Sequence, residues 1–244
     1  MGRARLRKWI LGTVLALATP PFGFVAWNTA NDNFATAERG LLYRSGQMDP
    51  LRLGRTIRDY KIKTVLNLRG SHPEQVWYQG EQKATLDAGA TQTDMALSSC
   101  EWMSRVQLRT LIHTLETSER PLLIHCWHGA ERTGLAMAFA KLLEPGSTLA
   151  DGRAQFSLRY LYTGFGDGKV MDQHLAQYEA WLRRQHLSHT PEHLKRWAED
   201  GFQPGKPGRE QWPYDPFPLV VVTRPAPKLS RVVETLESIQ PIRK

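Results

Sequence analysis

The chain has 244 residues, of which 41% are hydrophobic and 23% charged, enough apolar material to bury a core and too much for wholesale disorder. Two cysteines exclude a disulfide scaffold and a four-thiolate zinc site. The formal charge of +8 is concentrated by Arg3, Arg5, Arg7 and Lys8, so the remainder is only mildly basic and implies no nucleic-acid partner.

After those four cations comes an uncharged stretch from Trp9 to Trp27. Nineteen residues of helix span about 28 Å, close to a bilayer's hydrocarbon thickness. The expectation is a membrane anchor over residues 9–27, with cations inside and the domain that follows exported, to the periplasm in a bacterium. Pro20 and Pro21 support the alternative of a cleaved signal segment and a secreted protein, with Ala16-Leu17-Ala18 at the cleavage site. Domain boundaries follow: residues 1–30 as anchor or signal, 31–201 as catalytic domain, and 202–244 as a proline-rich extension.

From residue 31 the chain alternates strand-like and helix-like patterns. Gly40–Arg44 reads as a strand, and Pro50–Tyr60 as a helix capped by Asp49. Lys63–Leu68 is a buried-strand pattern ended by the Arg69–Pro73 loop. Trp77–Ala88 reads as a helix stopped by Gly89, Thr91–Leu97 as a strand, Ser104–Thr117 as a helix and Pro121–Cys126 as a strand. Helices are expected over Thr133–Leu143, Asp151–Tyr160 and Val170–Gln185. Strands separated by helices define an α/β fold, a central mostly parallel or mixed sheet flanked by helices, with its site at the strands' C-terminal ends. Seven prolines between Pro204 and Pro227 make the tail an extended arm or linker, followed by a short amphipathic helix over Lys228–Ile239.

The chemistry is concentrated in His125-Cys126-Trp127-His128-Gly129-Ala130-Glu131-Arg132-Thr133-Gly134. A cysteine ends a buried strand, a tight turn follows, and arginine and threonine open a helix. Converging N–H groups and the helix N-terminus make an anion cradle from Trp127 to Thr133. Arg132 offers a planar fork for two phosphate oxygens. That field lowers the pKa of Cys126 and makes its thiolate an in-line nucleophile, with the Thr133 hydroxyl able to hydrogen-bond the sulfur. No third or fourth ligand joins His125, Cys126 and His128, so neither metal nor cofactor is expected.

This segment resembles the H-C-x5-R-[ST] signature of the cysteine-dependent protein tyrosine and dual-specificity phosphatases. Leu42–Gln47 and Val65–Gly70 resemble segments of the compact bacterial and fungal dual-specificity-like branch. Tyr178–Trp181 and His189–Trp197 resemble the closing helices of bacterial members with an N-terminal membrane segment. The resemblance implies a metal-free phosphomonoester hydrolase working through a phosphocysteine, acting on a phosphorylated protein or small phosphomonoester. Inositol phosphates or phosphoinositides are alternative substrates, and a membrane-tethered phosphate-binding protein without turnover is the rival reading.

Two residues compete as general acid. Asp94 lies 32 positions before Cys126, as the family implies, but falls within the expected strand Thr91–Leu97. Glu131 lies inside the signature itself, with a salt bridge to Arg132 as its structural alternative. His125 is read as a backbone brace, His128 as a rim residue, and Gly164–Gly168 as a plain connection. Arg44 and Arg69 are read as braces for the phosphate loop or as structural residues. Cys100 is either an isolated thiol or the partner of Cys126 in a protective disulfide.

Overall fold

The structure, a computed structural model, describes residues 23–205 and 219–226. Helix α1 occupies residues 23–30. It is followed by β1 (Ala35–Glu38), β2 (Leu42–Ser45), α2 (Pro50–Asp59), β3 (Thr64–Asn67), α3 (Val76–Asp87) and β4 (Thr91–Met95). Then come α4 (Arg105–Thr117), β5 (Leu122–His125), α5 (Glu131–Leu142), α6 (Leu149–Arg153), α7 (Val170–Arg184), α8 (Pro191–Arg196) and β6 (Val220–Thr223). The six strands form one sheet in the order β1-β2-β5-β3-β4-β6. The inner four run parallel, and β1 and β6 pair antiparallel at the edges.

Alternation along the strands divides the core between the two faces. Leu42, Leu66, Leu122 and Ile124 join the larger cluster with residues of α4, α5 and α7. Tyr43, Val65 and Leu123 face the opposite way, onto Leu53 and Ile57 of α2. Helix α5 is buried nearly all round, and its small residues let it lie close against its neighbours. The added methyl of an alanine at position 134 would come 3.1 Å from the Phe156 ring, so Gly134 serves packing against the segment after α6 rather than against the sheet.

The register aligns Ser45, His125, Asn67 and Asp94 in one row at the C-terminal ends of the parallel strands. Helix α3 turns Tyr78, Glu81 and Thr85 inward, a buried helix face with no aliphatic side chain. These spacings of three and four put Glu81 and its neighbours against the polar end of the strand row.

The membrane expectation is corrected here. Among the described residues no helix is long and apolar enough to cross a membrane. Of residues 9–27 only 23–27 are described, within α1. Beyond Trp27 the chain turns polar: Asn28 and Asn31 donate to the carbonyls of Phe24 and Trp27. Residues 9–22 lie outside the described residues. The membrane anchor, the membrane as a partner, the exported location and the likeness to membrane-segment members are set aside together.

Two other expectations differ from what is seen, and one strand was not expected at all. The expected helix Asp151–Tyr160 is broken into α6 and a 3-10 turn at Leu158–Tyr160, because the capping box of Thr148 and Asp151 starts the helix earlier. Part of the proline-rich tail is a strand, β6, placed against β4 with Asp94 opposite Val221. Strand β1 lacked a clear sequence pattern and pairs through Ala35–Glu38. The helix expected over 228–239 lies outside the described residues.

Candidate active site

Cys126 follows β5 directly and is 1% exposed, at the floor of a shallow cavity of about 360 Å³. Arg69, His72, Ser99, Trp127, His128, Glu131 and Arg132 line the same cavity. Burial alone raises the thiol's pKa. The Arg132 guanidinium, the Thr133 hydroxyl, and the backbone N–H groups of Thr133 and Gly129 outweigh it and hold the thiol below its ordinary value. The Thr133 hydroxyl is buried with no hydrogen-bond partner among the described residues, and it is one of the groups that hold the thiol down.

Arg132 is anchored on one side only. Its Nη1 donates to the carbonyls of Leu97 at 3.2 Å and Leu68 at 3.4 Å, whereas Nε is buried with no partner among the described residues. A buried guanidinium nitrogen without an acceptor costs free energy unless a ligand supplies one. An anion in the cavity would do so.

The turn over Cys126 is held from outside the signature. Arg44, fully buried, donates to the Gly129 carbonyl at 2.8 Å and to the backbone and side-chain oxygens of Gln155 at 3.0 and 3.1 Å. Burial lowers its pKa to about 10, which leaves it charged at neutral pH. Asn33 donates to the carbonyls of His128 and Tyr160, and Gln47 N–H donates to the Trp127 carbonyl. Gly129 has φ +71°, and a Cβ there would meet Gly46 and Ser45 backbone atoms at 2.6 Å. The loop therefore rests directly on the end of β2.

The two expected acids have different surroundings. Glu131 lines the cavity, and its Cγ lies against Gly168 of the glycine-rich turn. Asp94 is 1% exposed and does not line the cavity. Tyr78 donates to it at 2.5 Å, and Asn67 and Gln92 each at 2.9 Å. Burial raises the Asp94 pKa against those three donors. Cys100 is an exposed free thiol 3.5 Å from the Ser98 hydroxyl, and Cys126 is likewise free.

Sequence reasoning missed Asn33, Gln47, Glu81 and Gln155. Arg69 was read either as a brace for the phosphate loop or as a structural residue, and its setting was not foreseen: it stacks on Trp77 at 3.5 Å and Trp127 at 4.3 Å while donating to the Gln47 side chain. No short motif marks such contacts.

Residues 28–144, a little under half of the chain, match the model of the tyrosine phosphatase family. No curated protein matches. Among solved structures, P. aeruginosa TpbA in complex with pTyr is 18% identical, covering 70% of this chain and 93% of that one, with a TM-score of 0.46. The core catalytic domain of the PP-IP phosphatase SIW14 from S. cerevisiae, in complex with citrate, is also 18% identical, with coverages of 63% and 93% and a TM-score of 0.46. Likenesses of that degree bear on neither substrate nor mechanism. The family match speaks for a phosphatase-type hydrolase, and the compact α/β fold, with its mixed sheet flanked by helices, agrees with it.

Proposed function

We propose that this chain hydrolyses phosphomonoesters through a phosphocysteine on Cys126. The observation that carries the reading is the pairing of a thiol held below its ordinary pKa with an Arg132 Nε that is buried and unpartnered. The Cys126 thiolate attacks phosphorus as the ester P–O bond breaks. Arg132 and the loop N–H groups, Gly129 and Thr133 among them, stabilise the equatorial oxygens. Glu131 protonates the departing oxygen, because it reaches the cavity while Asp94 is enclosed by its donors. Water then attacks the phosphocysteine, the S–P bond breaks, Glu131 takes the water's proton, and phosphate leaves with the thiolate restored. Thr133 hydrogen-bonds that leaving sulfur.

The catalytic unit is residues 31–201 with strand β6 added from the C-terminal extension. The rim suits an aromatic phosphomonoester such as phosphotyrosine, since Trp127 is half exposed beside the stacked Arg69. The test is turnover of p-nitrophenyl phosphate and of phosphotyrosine, phosphoserine and inositol phosphates, with Cys126→Ser as control. Loss of all turnover in Cys126→Ser and trapping of a phosphocysteine in the wild type support the reading; retained activity in Cys126→Ser overturns it. A silent panel with tight tungstate binding would favour a phosphate-binding protein without turnover.

A further inference from the structure

A buried carboxylate stands behind the nucleophile. Glu81 is 1% exposed, and its Oε1 lies 3.2 Å from His125 Nε2, an ion-pair contact rather than an aligned hydrogen bond. The other ring nitrogen, Nδ1, lies 3.3 Å from the carbonyl of Cys126 itself. Gln92 donates to Glu81 Oε1 at 2.9 Å. The Gln47 amide donates to Oε2 while its oxygen accepts from Arg69 at the cavity rim. One carboxylate therefore reaches the nucleophile's peptide through His125 and the rim guanidinium through Gln47.

A carboxylate this deeply buried is costly unless paired. Tyr78 of the same helix, Asp94 of β4, His125 of β5, Arg69 after β3 and Cys126 are the other titratable groups coupled to this pair. Among the described residues His125 and Arg69 are the cationic groups that offset the Glu81 charge. Resting on the phosphatase reading above, we propose that Glu81 is a positioning residue for Cys126, acting through its buried ion pair with His125 and through Gln47 on Arg69.

The consequence is chemical as well as steric. Burial depresses the imidazole pKa, but Glu81, the Cys126 carbonyl and the Cys126 charge outweigh it and raise it above its ordinary value. The pair thus places an imidazolium next to the thiolate. Coupling between the two is reciprocal, so whatever the thiolate does for His125, charged His125 does for the thiolate. The carboxylate behind the ring moderates that effect and fixes the ring's orientation.

Two measurements on the full-length chain test this. The first is the pH dependence of Cys126 alkylation by iodoacetamide in the wild type, Glu81→Gln and Glu81→Asp, with thermal melts alongside. The midpoint should rise by about 0.5–1 unit in Glu81→Gln, with the acid limb of kcat/KM moving the same way, and Glu81→Asp should recover part of the shift. A folded Glu81→Gln protein with the wild-type midpoint overturns the proposal. The second needs no variant: the His125 ring, followed by NMR, should titrate above the ordinary imidazole value of about 6.5. Titration at or below that ordinary value overturns the proposal as well. An ordinary thiol titration in the wild type, or activity in Cys126→Ser, would instead refute the phosphatase reading beneath it.

Discussion

Gly129→Ala puts a methyl group where the fold has only backbone. Two costs add. The left-handed φ of +71° costs an L-residue about 1–2 kcal/mol. The new Cβ would also lie 2.6 Å from Gly46 N, Ser45 C and Ser45 O, inside the 3.0 Å that real Cβ atoms respect. Those atoms belong to the end of β2 and the turn after it, so relief must come from the loop moving away. A shift of that kind displaces the Gly129 N–H that faces the Cys126 sulfur and the carbonyl that holds Arg44. Misplacement on the order of 1 Å costs about 100-fold in rate, and an equal loss of kcat/KM is expected here. The total destabilisation should be about 2–4 kcal/mol, or a Tm drop of roughly 4–16 °C for a domain of this size. Gly40→Ala is the matched comparison, because its φ is +78° and nothing lies within 4 Å of an added Cβ. It should show the φ cost alone and full activity. Were Gly129→Ala to lose no more stability or p-nitrophenyl phosphatase activity than Gly40→Ala, the loop would not be pressed on β2 as described.

Arg132→Lys should lower kcat/KM by about 100- to 1000-fold, since an ammonium cannot hold two oxygens while reaching the Leu68 and Leu97 carbonyls; steady-state kinetics would show it. Glu131→Gln should slow esters with poor leaving groups by about 100-fold or more, whereas Asp94→Asn should act mainly on stability; the reverse pattern would move the acid to Asp94. His174 supplies a pH-dependent stability term. It is fully buried, with Nδ1 at 2.8 Å from the Val170 carbonyl and Nε2 accepting from Met103 N–H, and burial lowers its pKa from 6.5 to about 4. The unfolded chain therefore takes up a proton first, so this contribution is complete above about pH 6.5 and is lost as pH falls toward 4. The loss is about 2 kcal/mol by pH 5. Urea midpoints at pH 7.5 and 5 should differ less in His174→Asn than in the wild type; an unchanged difference would count against the assignment.

What could be read in advance is what lies close together along the chain. Cys126, its turn, Arg132 and the opening of α5 fall within ten consecutive residues, so local backbone geometry carries their arrangement. The inner strands were legible because apolar runs such as Val65–Leu66 and Leu122–Ile124 have no other place to go than a buried sheet. Most of the site's supports are not local. Arg44 meets Gly129 across 85 positions and Gln155 across 111, and Asn33 meets Tyr160 across 127. Glu81 sits on a helix face whose polar character gives no sign of the strand row it will cover. Asp94 has the expected spacing from Cys126, yet its place in β4 and the donors Tyr78, Asn67 and Gln92 enclose it. The membrane anchor expected over residues 9–27 is set aside because no described helix is long and apolar enough to cross a membrane, and of that stretch only residues 23–27 are described. By itself the sequence determined the cysteine loop, the α/β alternation and the family-level likeness to a phosphatase-type hydrolase, all properties of neighbouring residues. The tertiary structure alone decided which carboxylate reaches the cavity, which charges brace the loop, and that part of the tail completes the sheet, because each depends on pairings between segments that share no local signal.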